Sequence, residues 1–354
     1  MGRLREKGSF PECPEGKKGL VVMVRFLRLT FQVVLTPLLL LAVAWGTAAL
    51  WIDGPADRWA AAILAGAFSL GCLITLVRIR PYPRAMVVVL AVFGVLLGWW
   101  LSIQPSNNRD WQSDVARSPS AVFEGERLTI HNVRNFDYRS ETDFTERWET
   151  RHYDLSQLKG VDLFLSFWGP TLIAHTIGSW EFGDGSHLAI SIETRKEKSE
   201  TYSALLGFFR QFEVYYVVAD ERDLVRLRTN YRGERVFLYR TSLPPEEARE
   251  LLLDYLTEAN RLAAKPRWYN ALSHNCTTAI QFHLQHLGLA QRLDWRILAN
   301  GYLDELMYER GRIDTRVELP EVRRRGDITE RAKKADKDPL FSARIREGVP
   351  NPRL

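Results

Sequence analysis

The stretch "TLIAHTIGSWEFGDGSHLAISIETR", Thr171 to Arg195, decides the fold of the region around it. Two runs of β-forming residues flank a Gly-Asp-Gly turn, which is the pattern of a β-hairpin. His175 stands in the first arm and Glu193 in the second. A three-residue loop at Gly183–Gly185 places His175 opposite Glu193, and a two-residue loop at Asp184–Gly185 places it opposite Thr194. Either register brings the Glu193 carboxylate near the imidazole, where it can orient the ring and stabilise its charged form. His187 opens the return arm at the far end and is expected to be structural or on the surface.

Working outward, "ERLTIHNVRNFDYRS", "VDLFLSFWG", "EVYYVVAD", "LVRLRTNY" and "ERVFLYRTS" read as strands. "SETYSALLGFFRQF" reads as a helix. "PPEEARELLLDYLTEANRLAA" is an amphipathic helix opened by prolines and acids and followed by Pro266. "CTTAIQFHLQHLG" is another, stopped by Gly288. Strands and helices come in groups rather than in βαβ alternation, so the fold class is α+β. A charged segment from about residue 321 to 354 reads as a surface tail.

Three runs before residue 104 carry no charge: Leu29–Ile52, Trp59–Val77 and Ala85–Ile103. Each has the ~20 residues that an α-helix needs to cross a bilayer. Lys17, Lys18, Arg25 and Arg28 precede the first, and Arg78, Arg80 and Arg84 lie between the second and third. The positive-inside rule then puts residues 1–28 in the cytoplasm as a tail, 29–104 in the inner membrane, and 105–320 outside the cytoplasm. Trp99, Trp100 and Trp111 suit the aromatic belt at that exit. Met23 is an alternative start, since "MVRFLRLTF" already supplies a basic flank before an apolar run.

The chain has 354 residues, 46% of them hydrophobic, and a net charge of +5. Basic and acidic residues interleave in the soluble part, which speaks against a nucleic-acid partner. The cysteines are Cys13, Cys72 and Cys276, too scattered for a disulfide framework or a CxxC metal site. Cys276 lies in "WYNALSHNCTTAI", where a loop becomes a helix. A helix N-terminus lowers a thiol pKa, and an imidazole beside it does the same. Asn275 fits the N-cap, and Thr277 and nearby backbone N–H groups can face an oxyanion. Tyr269 in the same loop is a supporting candidate. His274 is a runner-up base with His187, while His283, about 10 Å along the helix, is too far. The other readings of Cys276 are a buried small hydrophobe and a metal ligand beside His283 and His286, whose spacing fits no zinc pattern. No cofactor and no metal is expected.

"SFWGPTLIAHTIGSWEF…LAISIETRKE", "FRQFEVYYVVADERDLVRLRTNYR" and "WYNALSHNCTT" resemble the Lnb N-terminal periplasmic domain family, from about Asn107 to the "FSARIREGVP" segment. The resemblance implies a permuted papain-like (NlpC/P60-like) fold in which His precedes Cys. It also implies a lipoprotein N-acyltransferase-like thiol site. The family's small-residue–His–Thr pattern matches His175, and its Asn-Cys-Thr/Ser pattern matches Cys276. Glu193 takes the third place by analogy. The implied partners are a membrane lipid or lipoprotein substrate, the bilayer itself and a possible membrane-protein partner. The alternatives are a hydrolase or amidase of cell-envelope peptides and a non-enzymatic envelope module.

Overall fold

The computed structural model describes the backbone of residues 15–271, 276–286, 288 and 294–354, with side chains from Gln32 onward except at Cys276, Thr277 and Leu298. The chain forms two compact units, Met1–Gln104 and Pro105–Leu354.

The first unit holds three helices, α1 (Glu15–Ile52), α2 (Arg58–Arg78) and α3 (Tyr82–Ser102). Each contains a stretch long and apolar enough to cross a membrane, the one in α1 being Gln32–Ile52. The segment expected as a tail is helical from Glu15. Asp57 caps α2 by accepting the Ala60 N–H at 2.8 Å, which satisfies one orphan donor of its first turn. Trp100 Nε1 donates to Asp53 Oδ2 at 2.7 Å, and its ring meets Trp45 edge-on.

The second unit begins with β1 (Ser120–Glu124), β2 (Arg127–Arg134), the short pair β3 (Asp137–Tyr138) and β4 (Phe144–Thr145), then β5 (Trp148–Asp154) and β6 (Leu158–Phe167). The hairpin strands β7 (His175–Phe182) and β8 (His187–Arg195) follow, then β9 (Glu213–Ala219), α4 (Glu221–Arg226), β10 (Arg235–Arg240) and α5 (Pro245–Ala264). Six further helices are α6 (Cys276–His286), α7 (Trp295–Leu298), α8 (Leu303–Glu309), α9 (Leu319–Gly326), α10 (Thr329–Lys334) and α11 (Phe341–Arg346). The sheet runs β1-β2-β9-β8-β7-β6-β10, with β5 also on β2. Its pairs are antiparallel apart from β2 with β9.

Strands β8 and β9 are buried on both faces, and β9, "EVYYVVA", reads as a near-continuous apolar run. On one face Trp180, Ile190, Ile192 and Tyr216 pack on Leu252, Tyr255 and Leu256 of α5. On the other, Phe164, Ile177 and Val217 pack on Leu224, Ile328, Phe341 and Ile345. The mixed α+β reading therefore holds, with corrections. "LVRLRTNY" is helical, as the end of α4 and a π-turn at Leu227–Tyr231, because Asp220 caps α4 on the Arg222 N–H. "SETYSALLGFFRQF" forms only a single 3₁₀ turn, Leu206–Phe208. Trp111 is buried in this unit under the Arg195 guanidinium rather than standing in an aromatic belt. The segment from residue 321 is not a surface tail, for Val322, Ala332, Phe341 and Ile345 are buried in it.

That segment is also tied down by charge. Arg346 bonds both Glu221 oxygens, at 2.6 and 2.8 Å, and Asp162 at 2.9 Å, with all three residues buried. Arg353 reaches Asp162 at 2.5 Å. Burial works against the charge on Glu221, but Arg346 and His187 hold its carboxyl well below the usual range.

At the other end of the sheet, fully buried Glu213 accepts the Ser106 N–H at 3.0 Å and faces Arg109 at 3.3 Å. Its Oε2 has no hydrogen-bond partner among the described residues. Burial pushes this carboxyl up from 4.5 to about 7, against the pull of the Ser106 N–H and Arg109. The folded chain thus keeps a proton that the unfolded chain releases. That contribution to stability is complete below pH 4.5 and is lost as the pH rises through about 7, a change of about 3 kcal/mol. In urea titrations across this window, Glu213→Gln is expected to flatten the fall in stability; an unchanged slope contradicts the assignment.

Candidate functional site

The hairpin turn fixes the register of the residues that matter. The Phe182 N–H bonds the Ser186 carbonyl at 3.0 Å, so the loop is Gly183–Asp184–Gly185, with Gly185 at φ +83°. That left-handed backbone suits glycine. Strand pairing then runs Glu181 with His187 through Ile177 with Ser191, and the same register puts His175 opposite Glu193.

His175 opens β7, and its Nε2 lies 2.5 Å from Ser191 Oγ and 3.4 Å from Glu193 Oε1. Ser191 Oγ donates to Glu193 Oε1 at 2.9 Å, and Arg228 Nη2 donates to the same oxygen at 2.9 Å. Burial opposes the charge on Glu193, but the His175 hydrogen bond and the Arg228 and Arg134 charges outweigh it, holding this carboxyl well below the usual range. An ionised carboxylate only accepts, so the single Ser191 proton goes to Glu193. Ser191 Oγ must then accept from His175, which assigns a proton to Nε2 on the side of the Glu193 carboxylate. Arg228 is held in turn by Glu234, at 3.1 Å, and Glu234 accepts from Ser166 Oγ. The sequence reading found His175 and Glu193. It missed Ser191 in β8, Arg228 in the turn after α4 and Glu234 in the loop before β10, which carry no motif.

Asn300 positions the strand entry. Its amide bonds both the N–H and the carbonyl of Ala174, at 2.8 and 2.7 Å. Next to it, a Cβ on Gly301 would sit 1.8 Å from the Thr171 carbonyl oxygen, so only glycine fits there. The loop it supports exposes Trp168, Leu172 and Ile173, with the Trp168 ring 6.5 Å from the His175 ring.

The other sequence candidates are dispersed. His274 and Asn275 lie outside the described residues, as do the side chains of Cys276 and Thr277. The backbone does place Cys276 as the first residue of α6. The chain leading there passes the end of the sheet where His175 stands: Trp268 bridges Glu213, the Tyr269 N–H bonds Phe212, and the Ala271 N–H bonds Gly207. Beyond that end, α6 packs on the face opposite to the His175 row, since Ile280 and Leu284 join Trp180 and Ile192. His283 pins the helix there. Its Nδ1 is 2.7 Å from Asp254 of α5, and its Nε2 is 2.7 Å from the Tyr216 hydroxyl. Asp254 also meets His286, at 2.9 Å.

His187 lies far from His175 along the hairpin. Its ring, with Asp162 and Glu181, offers three ligand-type atoms within 4.8 Å of one another. Arg240, Arg346 and Arg353 already occupy those carboxylates. Three guanidiniums would repel a divalent cation, so the donor set does not fit one. Burial lowers the His187 pKa.

The family model of the Lnb N-terminal periplasmic domain matches residues 144–301. That segment belongs to this family. The Lnb domain takes in the loop before β7, the His175–Ser191–Glu193 row, the start of α6 and Asn300. It is shorter than the Asn107-to-"FSARIREGVP" extent of the resemblance and leaves out the Arg346 clamp. No curated protein and no solved structure matches the chain.

Between the sheet and α5, α6 and α8, the Lnb domain and the helices after it enclose a cavity of about 210 Å³. Trp180 and Ile192 form its floor, and Leu251, Ile280 and Leu284 are among its walls. Ile280 stands one helical turn after Cys276, about 6 Å along the axis.

Proposed function

We propose that the chain is a multi-pass inner-membrane protein whose periplasmic domain is a thiol acyltransferase on a permuted papain-like scaffold. Cys276 is the nucleophile, His175 the base, and Glu193 with Ser191 the group that orients the imidazole. The observation that carries this reading is the His175 geometry. Nε2 is fixed toward an ionised carboxylate, as a base needs on the side away from its nucleophile. The segment entering α6 arrives at the same end of the sheet.

In the reaction, His175 takes the Cys276 proton and the thiolate attacks the carbonyl carbon of an acyl ester of a phospholipid or diacylated lipoprotein. The ester C–O bond breaks, His175 returns the proton to the leaving alcohol, and a thioester remains on Cys276. An incoming amine then attacks that carbonyl, the C–S bond breaks, and the amine proton passes through His175 to the thiolate. Backbone N–H groups at the start of α6 supply the oxyanion support, with Asn275, Thr277 and Tyr269 as the supporting candidates from the sequence.

The apolar cavity and the exposed Trp168, Leu172 and Ile173 favour an acyl substrate over a cell-wall peptide, which needs a polar groove. The packing of α6 on the face opposite to His175 favours a second reading, a non-enzymatic envelope module with Cys276 inert. Mass spectrometry of the full chain isolated from membranes separates the two. An acyl adduct on the Cys276 peptide, released by hydroxylamine and absent from Cys276→Ala, is expected. Its absence during turnover of added lipid, with the protein folded, rules the acyltransferase out.

A further inference from the structure

The cavity beside α6 has one wall unlike the rest. Its floor of Trp180 and Ile192 and its sides of Leu251 and Leu284 are apolar, and Gly178 leaves room above the Trp180 ring. The polar groups that reach it from the strands are already satisfied. Thr241 donates to the Val161 carbonyl at 2.6 Å, and Asp162 is held by Arg240, Arg346 and Arg353. Half-buried Arg312 closes the wall next to Met307. The Arg312 guanidinium has no ion-pair or hydrogen-bond partner among the described residues. A partly buried cation at the edge of an apolar cavity calls for an anion with a hydrocarbon tail.

We propose that this cavity binds a fatty carboxylate, with its chain between β7, β8 and the helices and its head group on Arg312. A cavity of about 150 Å³ takes benzene, so 210 Å³ takes a straight chain of roughly eight carbons. Met307, beside Arg312, sets the length that fits. The site shares its cavity with the acyl-transfer reading but does not depend on Cys276, because the binding is non-covalent.

The test uses the full chain in phosphatidylcholine nanodiscs and an octanoate carrying a terminal diazirine, with labelled peptides mapped by mass spectrometry. Saturable labelling of the β7–β8, α6 and α8 peptides is expected, displaced by octanoate and not by octanol. Met307→Trp, which fills the cavity, lowers that labelling about tenfold or more. Arg312→Gln, which leaves the apolar packing untouched, raises the half-saturating octanoate concentration about tenfold. Cys276→Ala leaves the labelling unchanged, even if it abolishes acyl transfer. Labelling confined to α1–α3, displacement by octanol as well as octanoate, or full labelling in both Met307→Trp and Arg312→Gln overturns the proposal.

Discussion

Arg346→Ala is expected to destabilise the soluble unit by about 3–5 kcal/mol, the cost of breaking a buried ion pair by removing one partner. The guanidinium is buried, bonded to both oxygens of Glu221 and to one of Asp162. Its loss leaves buried Glu221 with Ser179, at 2.5 Å, as its remaining side-chain hydrogen-bond partner among the described residues, and takes away the guanidinium that does most to balance its charge. Asp162 keeps Arg240 and Arg353, so the damage is concentrated at Glu221. The same residue fastens α11 and the segment up to Leu354 onto the sheet, so a deletion beginning at Phe341 is expected to be worse than the point change. Arg346→Lys keeps the charge but not the two-pronged geometry and falls between the two. Thermal unfolding of the full chain in detergent reads the effect as a fall of about 10 °C for the alanine variant. A fall under about 2 °C contradicts the account of the C-terminal segment as part of the folded body.

His175→Ala is expected to lower acyl transfer by about 10²- to 10⁴-fold, the range for loss of a positioned general base. The fold should survive. The imidazole sits at the first residue of β7, against Ser191 and the exposed Trp168 ring, and belongs to neither apolar cluster of the sheet, so its removal empties no part of the apolar core. Glu193→Gln should show a smaller loss of rate together with a measurable loss of stability. It strips Arg228 of one of its two carboxylate partners and takes the charge from beside the ring. A rate loss in His175→Ala no larger than in Glu193→Gln contradicts the assignment of His175 as the base.

Much of the sheet was legible because β7 and β8 obey a simple rule. A turn built on glycines allowed two registers, and in both of them Glu193 is close to His175. The three membrane-length helices were legible from the lack of charge alone. What escaped has physical reasons. The π-turn carrying Arg228 alternates apolar and basic residues like a strand, and only the Asp220 cap, set by tertiary context, makes it helical. The C-terminal segment looked solvated because it is rich in arginine, yet Arg346 and Arg353 are spent on buried carboxylates more than 100 residues away in sequence. Nothing in "ANGYL" reveals the clamp of Asn300 on Ala174. The role of Ser191 comes only from the row it shares with His175 and Glu193.

The central claim is that the Cys276 thiol is activated by His175, and the rate of its alkylation against pH tests this most directly. Full chain in nanodiscs is treated with a small iodoacetamide probe, with adducts quantified on the Cys276 peptide in wild type and in His175→Ala. The account predicts wild-type alkylation that is already fast at pH 6–7 and a profile shifted by about one to two units toward the ordinary thiol value of about 8.5 when His175 is lost. Superimposable profiles in the two proteins, or a Cys276 that alkylates only after unfolding, would contradict it.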